Sequence, residues 1–299
     1  MSSRTLGLLL LVLLSGLLVL PAFSAPEDEI ASVVSEATKA FVRNDAEAVR
    51  PLLMDGSVLL IEGAGMDGAM VASGEQMLEM MAQMPVGTDT GVTVTLIKDK
   101  SEINPDIAFV QAEVSNLPDM PGKLTSVGVL VNVAGEWRIA LMGALPEGTA
   151  KKEMPAAIRD IVADLAGGET TGMQSAVTYL PTGPCLFIVG GPEFLIPMVG
   201  ADAVRRQVAE WALPANVKAE GEAEAVVGTD IAFVVRGSTF ETEGFTRLSR
   251  DMLCLHKENG KWKIVAFIAR SAPTGEKAAE GAKPEAKPGA KPEGEAKAP

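Results

Sequence analysis

The sequence contains an internal repeat, and this repeat limits the folds that the chain can adopt. The segment Asp106–Val110 reads DIAFV, and the same five residues return at Asp230–Val234. Three further pairs of segments match in the same order and at nearly the same separation: Val58–Gly63 with Cys185–Gly190, Met70–Gln83 with Ile196–Glu210, and Gly135–Leu145 with Gly260–Arg270. The sequence therefore predicts a tandem duplication of one unit of about 125 residues, a common domain size.

The two ends of the chain differ in composition from the repeat. Residues 1–24 are typical of an export signal, because the apolar run Leu6–Leu20 is too short for an ordinary spanning helix and precedes small residues. Residues 275–299 consist almost only of Ala, Lys, Pro, Glu and Gly, a composition that cannot bury enough apolar surface to fold. We therefore expect a periplasmic or secreted protein with two domains, 26–150 and 151–274, and a disordered tail. An uncleaved anchor is the alternative interpretation of the first segment.

Charge and metal-ligating residues exclude several classes of function. Residues 26–150 hold 19 acidic and 7 basic residues, a net charge of −12, whereas residues 151–274 hold 15 and 13, a net charge of −2. Neither unit has a basic patch of the kind that binds phosphate backbones, so neither nucleic acid nor an anionic membrane is an expected partner. With one histidine and two cysteines in the chain, no metal site or cofactor is predicted. Cys185 and Cys254 are expected to be buried free thiols, although an exported protein permits a disulfide.

Each unit shows helical periodicity first and strand patterns afterwards. In the first unit, apolar spacing predicts a helix at 28–42. Asn44 with Glu47, and Ser73 with Gln76, form capping boxes that start two further helices. Strands are predicted at 57–62, 92–98, 106–115, 124–133 and 136–145. This order indicates an α+β fold in which helices pack on one face of a curved sheet. Strands that are apolar on both faces suggest that the other face meets the sibling sheet, so that the tandem pair forms an internal pseudo-dimer.

Several short motifs stand out: RNDAEAVRPLL in the first unit, the glycine-opened helices GEQML in the first unit and GADAV in the second, the two DIAFV segments, and the strands that contain Trp137 and Trp262. Together they resemble the nuclear transport factor 2-like superfamily, also called SnoaL-like or ketosteroid-isomerase-like, over residues 28–145 and 155–271. The resemblance implies two tandem cone-shaped α+β domains, each a curved antiparallel sheet wrapped around about three helices with an apolar pocket between them. The fold hosts enzymes, ligand binders and assembly domains, so it does not indicate one function.

The pockets implied by the resemblance are expected to be lined by apolar side chains. These are Met70, Met77, Phe109 and Trp137 in the first unit and Phe187, Trp211, Phe233 and Trp262 in the second. Six methionines lie between Met66 and Met84. Since methionine adapts to irregular apolar space, they indicate either a soft pocket wall or ordinary core. The first hypothesis is an exported, non-enzymatic protein that binds a small apolar ligand or a partner protein.

Two alternatives remain open. Enzymes of the superfamily place a carboxylate base in the pocket, often facing a Tyr or His, so the first alternative is a lyase-, isomerase- or cyclase-like enzyme with one active cone. Glu62, which closes the apolar strand VLLIEG, or His256 would then be the base. Tyr179 is expected to be a packing residue. The second alternative is a structural interaction module with filled cones.

The remaining charged residues of the strands are assigned structural roles. Asp106 and Asp230 open identical strands and are interpreted as turn residues that bond to local backbone. Arg250 and Asp251 are expected to form a surface pair across the second sheet, which would contribute little to stability.

Overall fold

A computed structural model of the protein describes residues 26–62, 68–88, 91–118, 122–149, 153–166, 172–192, 194–210, 215–242 and 245–274. The predicted signal 1–24, the predicted tail 275–299, Met66 and Trp211 lie outside these residues. The described part of the chain forms two mixed β-sheets with helices, so the predicted α+β fold with two tandem units is confirmed. Among the described helices, none is long and apolar enough to cross a membrane.

The first unit contains a seven-stranded sheet and three helices. Its helices are α1 (Pro26–Val42), α2 (Ala46–Val49) and α3 (Gly74–Ala82). Its strands are β1 (Leu53–Glu62), β2 (Ala69–Ser73), β3 (Thr93–Leu96), β4 (Glu102–Ile103), β5 (Ile107–Ser115), β6 (Leu124–Val133) and β7 (Glu136–Pro146). The strand order is β2-β1-β7-β6-β5-β3, and β4 also pairs with β5.

The second unit contains a six-stranded sheet in the order β10-β11-β12-β13-β8-β9. Its helices are α4 (Ala156–Ala166), α5 (Gly172–Thr178) and α6 (Ala201–Glu210). Its strands are β8 (Leu186–Gly191), β9 (Phe194–Val199), β10 (Ala215–Val227), β11 (Ile231–Thr242), β12 (Phe245–Glu258) and β13 (Lys261–Pro273). The sheets are mixed rather than purely antiparallel, because β1 pairs with β7 and β8 pairs with β13 in parallel. The long connection between the paired strands makes this parallel pairing feasible.

Local signals set the helix starts in the first unit. The capping box at α3 is confirmed: the Gln76 amide donates to Ser73 Oγ at 3.2 Å, and the Ser73 amide donates to Gln76 Oε1 at 2.9 Å. The predicted cap of α2 is wrong by one residue, since Asp45 accepts from the Ala48 amide at 3.1 Å. Asn44 instead has a φ of 58° and forms the preceding turn. Met84, the last residue of the methionine-rich segment that indicated a pocket wall or core, is exposed.

The repeated DIAFV segment places side chains alternately on two buried faces. In β5, Phe109 packs in the core between the two sheets, and Ala108 packs against the helices of its own unit. In β11, Phe233 and Ala232 occupy the matching positions. Because successive side chains of a strand point to opposite faces, a strand buried on both sides must be apolar throughout. The segment is spelled twice because both copies contact helices on one face and the sibling sheet on the other.

One of the sequence matches is out of register by one residue. Leu59 of β1 pairs with Met142, and Phe187 of β8 pairs with Phe267. Met142 and Phe267 each lie five positions after the tryptophan of their unit, so Leu59 corresponds to Phe187. The Val58–Gly63 match with Cys185–Gly190 would have exchanged the two faces of the strand, which burial on both sides does not tolerate. In the corrected register Glu62 corresponds to Gly190.

Candidate functional site

A cleft of about 430 Å³ lies between the two sheets. Its apolar lining is buried or half-buried and includes Phe109, Val127, Phe233, Val235 and Met252, which we call the floor, together with Val110, Ala225 and Val226. Its half-buried or exposed charged lining, which we call the rim, consists of Asp99, Lys100, Glu102, Glu224 and Arg250. The cleft therefore combines an apolar surface with charges of both signs.

The two units contribute equivalent positions to the cleft. Phe109 and Phe233 occupy the same place in the DIAFV repeat. Val127 pairs with Gln111 across β5 and β6, as Met252 pairs with Val235 across β11 and β12. An interface that uses the same patch of two related units is self-complementary, as in a two-fold dimer. The cleft thus lies on the boundary between the units and is incomplete without either one.

Two ion pairs join the units at the rim. Lys100 Nζ lies 3.4 Å from Glu224 Oε2, and Arg250 Nε lies 3.1 Å from Glu102 Oε2. Within the described residues Arg250 Nε has no hydrogen-bond acceptor, so the contact with Glu102 is an ion pair without hydrogen-bond alignment. Pairs this exposed contribute little to stability, typically under about 1 kcal/mol.

The rim exists because the edge strand of the first sheet is interrupted. A 3₁₀ turn at Lys98–Lys100 separates β3 from β4. Ser101 fixes this turn: its Oγ donates to the Ile97 carbonyl at 2.9 Å and accepts from the Gln111 amide at 3.1 Å. The corresponding strand β10 instead continues through a bulge at Gly221, where φ is 72°. The interruption places Asp99 and Lys100 against β10 of the second unit.

Glu62 and Arg270 connect the two ends of the interface. The Thr229 amide donates to Glu62 Oε1 at 2.5 Å, and Arg270 Nε donates to Asp106 Oδ1 at 2.7 Å. A Cβ at Gly228 would lie 1.8 Å from Glu62 Oε2, so only glycine fits beside this carboxylate. Glu62, the candidate base of the first cone, therefore lies against the second unit and not inside its own cone.

The predicted roles of the two repeated aspartates need correction. The Asp106 side chain pairs with Arg270 of the other unit, and Asp230 Oδ1 lies 3.3 Å from Lys257 Nζ. Their backbone carbonyls accept from Asn132 and Lys257 amides, respectively, and so close the neighbouring hairpins. The backbone carbonyls of Asp106 and Asp230 therefore make the turn contacts, and their side chains form ion pairs.

A buried polar network lies on the helix-facing side of the second sheet. Arg236 Nε donates to Asp251 Oδ2 at 3.2 Å, and its two terminal nitrogens donate to the Val162 and Leu165 carbonyls at the end of α4. Ser249 Oγ donates to Asp251 Oδ1. Burial raises the pKa of the Asp251 carboxyl, while Arg236 and Ser249 act in the opposite direction.

This network corrects the expected Arg250–Asp251 surface pair. Neighbouring residues of a strand point to opposite faces, so Arg250 faces the first unit and Asp251 faces the helices. The sequence signal that could have found the network is a charge that interrupts an apolar run in each strand, Arg236 directly after IAFVV and Asp251 directly before MLCL.

The structure divides the predicted pocket residues between different surfaces. Met77 and Trp137 are buried in the helix-facing core of the first unit, and Met70 packs beside them. Phe187 and Trp262 occupy the same core in the second unit, where Lys257 Nζ lies 5.1 Å from the Trp262 ring. Phe109 and Phe233 were expected inside the cones but lie between the sheets, on the floor of the cleft.

The remaining titratable candidates are also placed. His256 is half-buried on β12 opposite Ile231 and Lys263, and burial lowers its pKa although Glu258 and Asp230 act to raise it. Tyr179 follows α5, and its hydroxyl donates to Asp164, a bond that raises the pKa of Tyr179 to about 12.

Both cysteines are free and buried, as predicted. Cys254 packs in the core between the sheets and Cys185 packs in the helix-facing core of the second unit. Burial raises the pKa of the Cys185 thiol to about 12 and that of Cys254 well above its ordinary value. Within the described ranges, no group of three or more His, Cys, Asp or Glu side chains could hold a metal ion.

No family model and no curated protein matches the sequence. The structure is similar to an NTF2-like protein of unknown function from Silicibacter pomeroyi, with 16% identity, a TM-score of 0.33, and coverage of 40% of this chain and 94% of that one. An NTF2-like protein from Cytophaga hutchinsonii is 14% identical, with a TM-score of 0.33, and the match covers 41% of this chain and 99% of that one. A ketosteroid isomerase-like protein from Erwinia carotovora atroseptica is 21% identical, with a TM-score of 0.32, and the match covers 42% of this chain and 99% of that one.

Proposed function

We propose that the protein binds one small amphipathic molecule per chain, in the cleft between its two sheets. The observation that supports this proposal is the combination of an apolar floor and a charged rim in a space of about 430 Å³. Ligand sites in proteins typically measure about 300–1,000 Å³ and combine apolar walls with a few polar groups. The non-enzymatic hypothesis is kept, but the ligand is moved from the interior of the cones to the boundary between them.

The physical basis of this binding is the exchange of water for an apolar ligand surface. Phe109 and Phe233 are only 3% and 2% exposed, so the apolar surface that a ligand would cover belongs mainly to the half-buried Val226 and Val235. Removing apolar surface from water contributes about 25 cal/mol per Å² before the cost of association. The rim then selects the polar part of the ligand. We propose that this binding takes place outside the cytoplasm, a location supported by the apolar run of residues 1–24.

The enzymatic alternative has less support than binding. Neither Glu62 nor His256 lines the cleft. One oxygen of Glu62 accepts from the Thr229 amide, so this carboxylate already serves the contact between the units. A general base must lie within hydrogen-bond reach of the proton that it removes, directly or through one water. A molecule held on the floor would meet neither candidate base.

The proposal is tested with a variant that fills the cleft. Val235 lines the cleft and is half-buried, so Val235→Trp should occupy the floor with a small effect on folding. The matched control is Thr239→Trp, four residues along the same strand and on the same face but outside the lining. Isothermal titration calorimetry with L-tryptophan and N-acetyl-L-tryptophan amide should give one site per chain. We expect Val235→Trp to weaken binding about tenfold or more, and Thr239→Trp to leave it unchanged.

Three outcomes would overturn the proposal. The first is an absence of heat with both indole compounds. The second is a stoichiometry of two per chain, which would assign one ligand to each cone. The third is equal affinity in Val235→Trp and the unsubstituted protein, which would place the bound molecule elsewhere.

A further inference from the structure

We infer that the ligand is a zwitterion with an apolar body, of the class of α-amino acids that carry a large apolar side chain. This inference rests on the proposed function and names the chemistry of the molecule that the same cleft takes. It follows from three features: the pairing of charges at the rim, the unused donor of Arg250, and the position of both charges beside the floor.

The first feature is that each rim pair joins a cation of one unit to a carboxylate of the other. Lys100 of the first unit pairs with Glu224 of the second, and Glu102 of the first pairs with Arg250 of the second. Both signs of charge therefore lie at the same opening. Among the rim residues the carboxylates outnumber the cations by one, so neither sign dominates.

The consequence is a penalty for any ligand with a single charge. A cation that binds Glu102 would take this carboxylate from Arg250, and an anion that binds Arg250 would leave Glu102 without its cation and with the Asn104 side-chain amide as a donor. The two side chains are 36% and 44% exposed, so water compensates most of this loss and the penalty is small. A ligand with an ammonium and a carboxylate replaces both halves of the pair and leaves no charge alone.

The second feature is the hydrogen-bonding capacity of Arg250. Its Nε–H has no acceptor within the described residues, although Glu102 Oε2 lies 3.1 Å away. A guanidinium presents its donors in a planar fork that matches a carboxylate, and such charge-assisted bonds are about twice as strong as neutral ones. Because Nε is buried, a ligand carboxylate would reach this fork by displacing Glu102, which is not aligned with it.

The third feature is the distance between the charges and the floor. Glu102 is the direct cross-strand neighbour of Phe109 in the β4–β5 pair. Arg250 lies two residues before Met252 on the same face of β12. Side chains that are direct neighbours or two residues apart on one face lie within about 5–7 Å of each other. An α-amino acid has the same arrangement, with both charges next to the carbon that carries the apolar side chain.

The test uses four indole compounds that differ only in charge: L-tryptophan, tryptamine, indole-3-propionate and N-acetyl-L-tryptophan amide. Calorimetry should rank the zwitterion tightest, with an affinity about tenfold above that of the neutral amide. Glu102→Gln and Arg250→Gln should each reduce L-tryptophan binding to the level of the neutral amide. The affinity of the neutral amide should change much less than that of L-tryptophan in either variant.

Matched controls come from ion pairs outside the cleft. Glu113 pairs with Lys123 at 2.8 Å and Arg205 pairs with Asp202 at 2.8 Å, both at the surface. Glu113→Gln and Arg205→Gln should leave all four affinities unchanged. Circular dichroism and the thermal midpoint report folding, and Arg250→Lys is the second variant if Arg250→Gln is unfolded. Because lysine keeps the charge and loses the fork, the Arg250→Lys variant should bind L-tryptophan more weakly than the unsubstituted protein does and more tightly than it binds the neutral amide.

The results separate this inference from the proposed function. Equal affinities for the four compounds, all reduced by Val235→Trp, would overturn the zwitterion and leave the amphipathic ligand in place. A preference for tryptamine or for indole-3-propionate would also overturn it. An absence of binding by all four compounds would overturn both proposals.

Discussion

The two sheets share a strand order through the repeat, but they carry charge at different places. Where the first sheet has Ala112 and Ser126 facing its helices, the second has Arg236 and Asp251. In a dimer of identical chains every position of the interface appears twice. A tandem duplication removes that constraint, because each copy can change alone. We infer that the apolar positions shared by the two units maintain the fold. The polar residues present in only one unit arose after the duplication.

The two ends of the interface show the same specialisation. At one end the first unit contributes Glu62 and Leu145, and at the other the second unit contributes the corresponding Gly190 and Arg270. Each end therefore has one charge, but the charges have opposite signs and come from neighbouring strands. Glu62 is bound by Thr229, the residue before one DIAFV segment, and Arg270 is bound by Asp106, the first residue of the other. The two units can satisfy these bonds in one orientation only.

The largest expected effect is the loss of Arg236. Arg236→Ala would leave Asp251 buried without its cation and would remove two bonds to the end of α4. Breaking a buried ion pair by removing one partner typically costs about 3–5 kcal/mol. Urea denaturation should show this loss in the free energy of unfolding.

The double variant Arg236→Ala with Asp251→Ser sharpens the comparison. It gives the second sheet the residues that the first sheet has at Ala112 and Ser126. Removing both charges should recover part of the lost stability, because no charge remains buried alone. If the double variant is no more stable than Arg236→Ala, the uncompensated carboxylate is not the cause of the loss.

The next effect concerns the contact of Phe233 with the first sheet. A Cβ at Gly143 would lie 2.0 Å from Phe233 Cζ, so the ring lies directly on this glycine. Gly143→Ala should destabilise the fold by about 1–3 kcal/mol, as overpacking does, measured by urea denaturation. Gly183→Ala is the control, because a Cβ there meets no atom within 4 Å. Equal unfolding free energies for the two variants would mean that the Phe233 ring can move away from residue 143 without destabilising the fold.

Much of the fold could be predicted from the sequence because both units are apolar at regular positions. The strand at 124–133 was predicted with the observed bounds, and the Ser73 capping box gave the start of α3. The parallel pairs could not be predicted, since the order of strands in a sheet depends on contacts far apart in the chain. The register of the Val58–Gly63 match was wrong for a related reason. A strand that is apolar on both faces does not show which face meets the helices.

The candidate site could be predicted only in part. Phe109 and Phe233 were identified as ligand contacts, but their alternation with other apolar residues did not show that they face the sibling sheet. The rim could not be predicted, because Lys100 and Glu224 meet only when the two sheets pack together. Glu62 was recognised as unusual for its apolar neighbours. Its partner, the Thr229 amide, is a backbone group and has no signature in the sequence.

The smallest expected effect concerns His256, which stands where the first unit has the fully buried Val131. Burial lowers the pKa of His256, and the opposing carboxylates are Asp230 and Glu258. Its neutral form therefore stabilises the fold above its ordinary pKa of about 6.5, and this contribution is lost as the pH falls through the lowered value. Because the chain has one histidine, an NMR titration of the imidazole signals gives the pKa of His256 without resonance assignment. A midpoint at or above 6.5 would mean that the two carboxylates outweigh burial, and the position would then differ from Val131 in environment as well as in residue.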